Sequence, residues 1–168
     1  MHATIKPEDF VFKGSPVDIA VMGEGELTLA EILSSRDMAA STLEGINGIC
    51  FYNDILNRVV VTDRRELIRD LSMLPMPSYS EVDMSFYSKS LKSIIGYSYY
   101  VVTPIFTGRG CPYRCRFCAS SNVWGERSVR LRPVDNIVGE IKLLIDNYKI
   151  DAVYILDDTF TLDKQRTS

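Results

Sequence analysis

The chain has 168 residues, of which 46% are hydrophobic and 24% are charged, and these values argue against intrinsic disorder. It carries 19 basic and 22 acidic side chains, and a net charge of −3 gives no reason to expect a nucleic-acid partner. No apolar run approaches the roughly 20 residues that span a bilayer, and the N-terminus lacks the apolar core of a signal peptide. We therefore expect a cytoplasmic protein with no membrane partner, built as one domain or as pieces of two.

The first segment predicts a strand followed by a helix. Residues 17–22 form a short apolar run, as expected of a strand buried on both faces, and a helical period of apolar residues follows. Between the two, Gly23 and Gly25 alternate with Glu24 and Glu26, which imitates a dinucleotide-binding fingerprint without its third glycine. The two glutamates would repel a phosphate, so we favour helix capping over phosphate binding.

The middle of the chain predicts a β-hairpin and a linker. Residues 48–52 and 58–62 are β-rich runs on either side of a turn at residues 53–54. Residues 65–71 are predicted to form a short helix. The proline-containing stretch at residues 74–87 is predicted to be an ordered interdomain linker, because proline removes backbone donors and disfavours helix before it.

The last third predicts a parallel βαβ unit. A strand at residues 99–106 is followed by a cysteine-containing loop, by a helix whose apolar residues recur on one face over residues 134–148, and by a strand at residues 151–156. Pro104 predicts a bulge or irregularity late in the first of these strands. Ligands of such units bind at the carboxyl ends of the strands, where the cysteine loop and the pair Asp157-Asp158 both fall.

The cysteine loop contains the strongest chemical signal. Cys111, Cys115 and Cys118 have the spacing C-x3-C-x2-C, whereas Cys50 lies in the predicted hairpin, where we expect a small buried hydrophobe. Thiolates favour zinc, copper(I) and iron–sulfur clusters, and structural zinc usually takes four ligands. Three thiolates fit a [4Fe–4S] cluster with one open iron. The alternatives are a non-catalytic zinc-binding module and a dithiol redox module that uses the same cysteines.

The motif and its surroundings resemble a known family. An aromatic residue before the third cysteine, in RGCPYRCRFC at the end of the first strand of a partial (β/α) barrel, is the signature of radical S-adenosylmethionine (radical SAM) enzymes. The following SSNVWG and YILDDTFT, and the upstream VDIAVMGEGELTLAEIL, resemble the subgroup with an N-terminal cobalamin-binding domain.

The resemblance implies an α/β architecture in three parts. Residues 1–40 would be the C-terminal part of a Rossmann-like cobalamin-binding domain, residues 41–98 a β-hairpin and linker, and residues 99–168 the first βαβ unit of the radical SAM barrel. The chain would then be a fragment that spans the junction of two domains, and we expect it to be inactive by itself.

The resemblance also implies a reaction. S-adenosylmethionine would bind the open iron, and one electron from the reduced cluster would split it into methionine and a 5′-deoxyadenosyl radical. The implied partners are an unidentified substrate and an electron donor such as a flavodoxin or ferredoxin. Cobalamin is the further cofactor expected of the full-length family member.

Five further residues receive roles from the resemblance. Phe117 would lie against the adenine of S-adenosylmethionine, with plain loop packing as the alternative. Asp157 and Asp158 would face the methionine amino group or would cap the strand end. Gly23 and Gly25 would line the cobalamin pocket.

Overall fold

The computed structural model describes residues 1–89 and 101–167, and the chain divides into two compact units. The first comprises residues 1–68 and 114–126, and the second comprises residues 69–113 and the chain from residue 127 onward. The helices are α1 His2–Ile5, α2 Gly25–Ser34, α3 Ala40–Leu43, α4 Met84–Lys89, α5 Ser120–Trp124, α6 Val134–Tyr148 and α7 Lys164–Thr167, with 3₁₀ turns at Pro7–Asp9, Leu71–Met73, Tyr79–Glu81 and Phe160–Leu162. The strands are β1 Ile19–Val21, β2 Ile49–Asn53, β3 Arg58–Val61, β4 Val102–Ile105, β5 Gly108–Arg109, β6 Arg130–Leu131 and β7 Ala152–Ile155. Within these described residues, no helix has both the length and the apolar character to cross a membrane.

An antiparallel sheet of order β1-β2-β3 forms the centre of the first unit. β2 and β3 make the predicted hairpin, in which Phe51 lies opposite Val60. β1 pairs with the other side of β2, where Ala20 lies opposite Cys50. The strand predicted at the start of the chain therefore shares one sheet with the hairpin.

The strand that is buried on both faces is β2, not the predicted strand at residues 17–22, because β2 lies at the centre of the sheet. β1 is an edge strand, and its Ile19 and Val21 are only half-buried, contrary to the expectation for residues 17–22. β2 instead lies between two strands and contributes to clusters on both of its faces, as alternating side chains of a strand do. One cluster contains Ile32, Leu43, Ile46, Ile49 and Phe51.

The other face of β2 carries Cys50. Its side chain is fully buried in a cluster with Val11 and Ala20. Burial raises the pKa of the Cys50 thiol, because the low-polarity surroundings disfavour the thiolate. The expectation that Cys50 is a small buried hydrophobe is confirmed.

The prediction of a short helix at residues 65–71 is wrong. The segment has no regular secondary structure before the 3₁₀ turn Leu71–Met73, and side chains of α2 and of its N-cap residue bind its polar groups. The backbone N–H of Ile68 donates to the Glu24 carboxylate at 2.8 Å, and the Arg65 Nε donates to the Thr28 hydroxyl at 2.8 Å. The Glu24 carboxylate therefore takes the place of the local carbonyl that the Ile68 N–H would bind in a helix.

The second unit contains the predicted parallel βαβ unit. β4 and β7 pair in parallel, with Ile105 opposite Ile155, and α6 runs between them over the residues that its periodicity predicts. Ile105 packs with Ile137 and Leu144 of α6, and Leu144 is fully buried. The linker also contributes, because Met84 of α4 joins this cluster.

The expected irregularity at Pro104 is not seen in the strand register. Pro104 lies opposite Tyr154, and the pairing continues without an offset to the end of the strand. Proline is tolerated at a sheet edge, and each strand of this described two-stranded sheet is an edge strand. Residues 99 and 100 of the predicted strand lie outside the described residues.

The cysteine loop is closed at its base by the short antiparallel pair of β5 and β6. Gly110 follows β5 with φ +94°, and a Cβ atom at this position would lie 2.1 Å from the Ser128 carbonyl oxygen. A side chain at position 110 would therefore force the two ends of the loop apart.

We expect Gly110→Ala to lower the free energy of unfolding by more than about 2 kcal/mol, because strain and a backbone overlap add. Gly139→Ala is the matched control: it lies inside α6, and its Cβ would meet only the Met76 Cε at 3.8 Å. The control should raise the free energy of unfolding by up to about 1 kcal/mol through helix propensity. Urea unfolding measures both, and equal effects of the two substitutions would contradict the close approach at Gly110.

Candidate metal centre

Cys111 lies at the carboxyl edge of the parallel sheet. It follows β5, which comes after β4 in the chain, and the Thr159 hydroxyl beyond β7 donates a hydrogen bond to its sulfur at 3.3 Å. The carboxyl ends of the two strands thus meet at this thiol. This is the edge at which the βαβ pattern predicts a ligand site.

Cys115 and Cys118 form a tight turn within the same loop. The Cys118 N–H donates to the Cys115 carbonyl at 3.1 Å, and the Ser120 N–H donates to the Cys118 sulfur at 3.5 Å. Both side chains are exposed free cysteines, and Cys111 is a half-buried one. The loop is divided between the two units, with Cys111 in the second and the other two cysteines in the first.

The donor set fits a group held by three thiolates. The loop provides three free cysteines, while Cys50 is fully buried in β2. Among the described residues, no group of three or more histidine, cysteine, aspartate or glutamate side chains is close enough to hold a metal ion. Convergence of Cys111, Cys115 and Cys118 on one centre therefore stays a prediction.

Asp157 ties the ends of the parallel strands together. Its Oδ1 accepts hydrogen bonds from the backbone N–H groups of Thr107 at 2.7 Å and Gly108 at 3.2 Å, and its Oδ2 accepts one from the Thr107 hydroxyl. These contacts make Asp157 a clasp between the two strand ends. Asp158 is exposed beside it, and the cofactor role predicted for the pair stays a prediction.

A buried polar cluster lies behind this clasp. Glu140 of α6 is 1% exposed, and its carboxylate accepts a hydrogen bond from the Tyr79 hydroxyl and pairs with Arg132 at 2.5 Å. Burial, and then the hydrogen bond from Tyr79 to Glu140, raise the pKa of the Tyr79 hydroxyl, so it remains a donor. The Arg132 Nη1 donates to the Phe106 carbonyl at 2.7 Å, and this hydrogen bond connects the buried polar residues to the start of the cysteine loop.

Arg166 also connects the two chain segments at the base of the cysteine loop. Its guanidinium donates to the carbonyls of Arg132 at 2.6 Å and Thr107 at 2.8 Å, one on each side of the loop. Sequence reasoning missed these supporting residues. One signal was available, because Glu140 lies three residues after Ile137 on the apolar face of α6.

The remaining predicted site residues have distinct surroundings. Phe117 is 94% exposed, so packing against the rest of its loop does not account for it. Gly23 has φ +74°, and its N–H donates to the Thr4 hydroxyl at 3.0 Å, whereas Gly25 is the first residue of α2. Glu24 occupies the helix N-cap position but makes no side-chain cap hydrogen bond, because its carboxylate accepts from Ile68. The proposed roles of Phe117, Gly23 and Gly25 toward cofactors stay predictions.

Comparison with known proteins gives a family match and relatives whose sequences align with nearly the whole of this chain. Residues 105–168 match the Radical SAM superfamily model. An uncharacterised methyltransferase of Pyrococcus horikoshii is 34% identical over 98% of this chain and 33% of its own length. An anaerobic magnesium-protoporphyrin IX monomethyl ester cyclase of Cereibacter sphaeroides is 24% identical over 99% of this chain and 26% of its own length. The chain thus spans a third or less of these relatives.

Solved structures show the same fold. The cobalamin-dependent S-adenosylmethionine radical enzyme OxsB, with aqua-cobalamin and S-adenosylmethionine bound, matches 95% of this chain and 20% of its own with a TM-score of 0.67 at 22% identity. The radical S-adenosylmethionine methyltransferase TsrM of Kitasatospora setae, with tryptophan and an S-adenosylmethionine analogue bound, matches 89% of this chain and 27% of its own with a TM-score of 0.62 at 19% identity. The predicted α/β class, with parts of two domains, is confirmed. Residues 105–168 thus match the radical SAM superfamily, and the fold of the chain is that of the cobalamin-dependent members.

Proposed function

We propose that this chain binds a [4Fe–4S] cluster through Cys111, Cys115 and Cys118, with S-adenosylmethionine beside it, as part of a cobalamin-using enzyme of the methyl-transfer class. The observation that carries the proposal is the position of the cysteine loop. It follows the first strand of the parallel βαβ unit, inside the residues that match the Radical SAM model. Thiolates are the ligands that iron–sulfur clusters require.

The residues of the chain have separate tasks in this proposal. The three thiolates would hold the cluster, and because the protein supplies only three ligands, the fourth iron would be available to bind S-adenosylmethionine. When bound, the cluster supplies the electron that cleaves S-adenosylmethionine to methionine and the 5′-deoxyadenosyl radical. The clasp formed by Asp157 and the hydrogen bonds of Arg166 hold the ends of the strands from which the loop starts.

Two side chains are assigned to S-adenosylmethionine itself. The exposed ring of Phe117 offers a face for stacking on adenine. Asp158 is exposed next to Asp157 at the end of the second parallel strand, and we assign its carboxylate to the methionine amino group.

Cobalamin and methyl transfer are proposed from the relatives. Two of them are named methyltransferases and are 34% identical to the matched part of this chain, including a cytidylyl-2-hydroxyethylphosphonate methyltransferase of Streptomyces wedmorensis over 56% of it. OxsB holds cobalamin, and we assign Gly23 and Gly25 to the corresponding pocket. Free thiols suit a reducing cytoplasm, where a flavodoxin or ferredoxin would donate the electron.

Anaerobic reconstitution tests the proposal. The protein is incubated with iron and sulfide, and bound iron, bound sulfide and the electron paramagnetic resonance spectrum of the reduced sample are measured. Addition of S-adenosylmethionine and a reductant should yield at most slow formation of 5′-deoxyadenosine and methionine, uncoupled from any substrate, because the chain spans only part of the relatives it matches. A colourless protein that binds zinc tightly and takes up no iron would overturn the proposal in favour of a zinc module.

We expect Cys118→Ala to reduce cluster iron to background, because two remaining thiolates cannot hold a cubane. Cys50→Ala is the matched control and should keep the iron content of the wild type, since Cys50 is fully buried in β2. Iron and sulfide are assayed after reconstitution and desalting. Equal losses of iron in the two variants would contradict the three-cysteine assignment.

We expect Phe117→Ala to raise the dissociation constant of S-adenosylmethionine roughly 5- to 150-fold, the equivalent of losing one stacking contact of about 1–3 kcal/mol. Its free energy of unfolding should stay within about 0.5 kcal/mol of the wild type, because the side chain is 94% exposed. Phe12→Ala, at an exposed phenylalanine of the first unit, serves as the control. Anaerobic calorimetry on the reconstituted protein measures binding, and an unchanged affinity in Phe117→Ala would remove the stacking role.

A further inference from the structure

The thiol of Cys111 has a side-chain hydrogen-bond donor close by. The Thr159 Oγ1 lies 3.3 Å from the Cys111 Sγ, although the two residues are 48 positions apart in the chain. The sulfur of Cys118 also accepts a hydrogen bond, but from the backbone N–H of Ser120. Of these two donors, Thr159 is the one that a substitution can remove without changing the backbone.

The position of Thr159 is fixed by its surroundings. Two residues earlier, Asp157 accepts hydrogen bonds from Thr107 and Gly108, which lie shortly before Cys111. The segments that contain Cys111 and Thr159 are therefore joined at two successive points. Thr159 is also the N-cap residue of the 3₁₀ turn Phe160–Leu162.

A donor at this sulfur has a defined effect on a bound cluster. Hydrogen bonds to the sulfur atoms are one of the factors that set the reduction potential of an iron–sulfur cluster. An O–H group directed at a thiolate stabilises negative charge, and the reduced cluster carries one more negative charge than the oxidised cluster. The hydrogen bond therefore raises the potential and makes reduction easier.

From this contact we infer that Thr159 is a positioning residue of the metal centre: its hydroxyl orients the Cys111 sulfur and raises the reduction potential of the cluster that this sulfur helps to hold. The inference rests on the proposed function. It adds to the three ligands a residue outside the cysteine motif, supplied by the segment that follows β7. Residues that orient metal ligands in this way commonly affect metal affinity by 10- to 100-fold.

Three variants of the protein test this role. Thr159→Val removes the hydroxyl and keeps the shape of the side chain, Thr159→Ser keeps the hydroxyl, and Thr161→Val makes the same change at an exposed threonine of the adjacent turn. After anaerobic reconstitution, the midpoint potential is measured by a redox titration followed by electron paramagnetic resonance. The release of iron to a chelator is measured in parallel.

Thr159→Val should have a more negative midpoint potential than the wild type and should release iron roughly 10-fold faster. Thr159→Ser and Thr161→Val should behave like the wild type. If Thr159→Val cannot retain iron whereas Thr159→Ser can, the positioning role is supported by iron retention alone.

Two results overturn the inference, and they differ from a failure of the proposed function. A wild-type potential and a wild-type iron release in Thr159→Val would remove the role of Thr159 and leave the cluster assignment intact. The role of Thr159 would also be removed if the midpoint potential of Thr159→Ser shifted as far as that of Thr159→Val, because loss of the hydroxyl would then not be the cause. Absence of iron and sulfide from every form, wild type included, would overturn the proposed function together with this inference.

Discussion

A carboxylate buried on the apolar face of α6 determines how the cysteine loop is anchored. Glu140 is 1% exposed, and an unpaired charge at such a site would cost several kcal/mol, so its partners are structurally required. Tyr79 supplies a hydroxyl and Arg132 supplies a positive charge. Arg132 also binds the Phe106 carbonyl, and Arg166 binds the Arg132 carbonyl, so both ends of the loop are linked to one helix. The base of the loop is thus held by buried charged and hydrogen-bonded side chains, which is the kind of support that a cofactor site requires.

Elements with a strong local pattern could be predicted from the sequence. The repeat of apolar residues over 134–148 gives the bounds of α6. The hairpin is confirmed, but its turn covers residues 54–57, because Asn53 still belongs to β2 and pairs with Arg58. The parallel pairing of β4 and β7 follows from the order of strand, helix and strand. The spacing of the cysteines directs attention to the same sheet edge at which the structure places Cys111 and Asp157.

Features that arise from distant parts of the chain could not be predicted in this way. The segment at residues 65–71 has helical composition, but the Glu24 carboxylate binds the Ile68 N–H and the segment forms no α-helix. The role of Tyr79 depends on a glutamate 61 positions away, and that of Thr159 depends on a cysteine 48 positions away. Local propensity contains no information about such partners, because they meet only after the sheet and α6 have packed. The pairing of β1 with the hairpin is a further case, since two separate segments form one sheet.

The burial of Cys50 has a consequence for how the protein withstands oxidants. Attack on peroxide or on a disulfide requires an accessible thiolate, and Cys50 has a raised pKa and no exposed surface. Oxidative chemistry is therefore directed to Cys115 and Cys118, whose side chains are exposed. Oxidation at those positions would remove thiols that the proposed cluster needs, while the buried Cys50 in the sheet around β2 would stay unmodified.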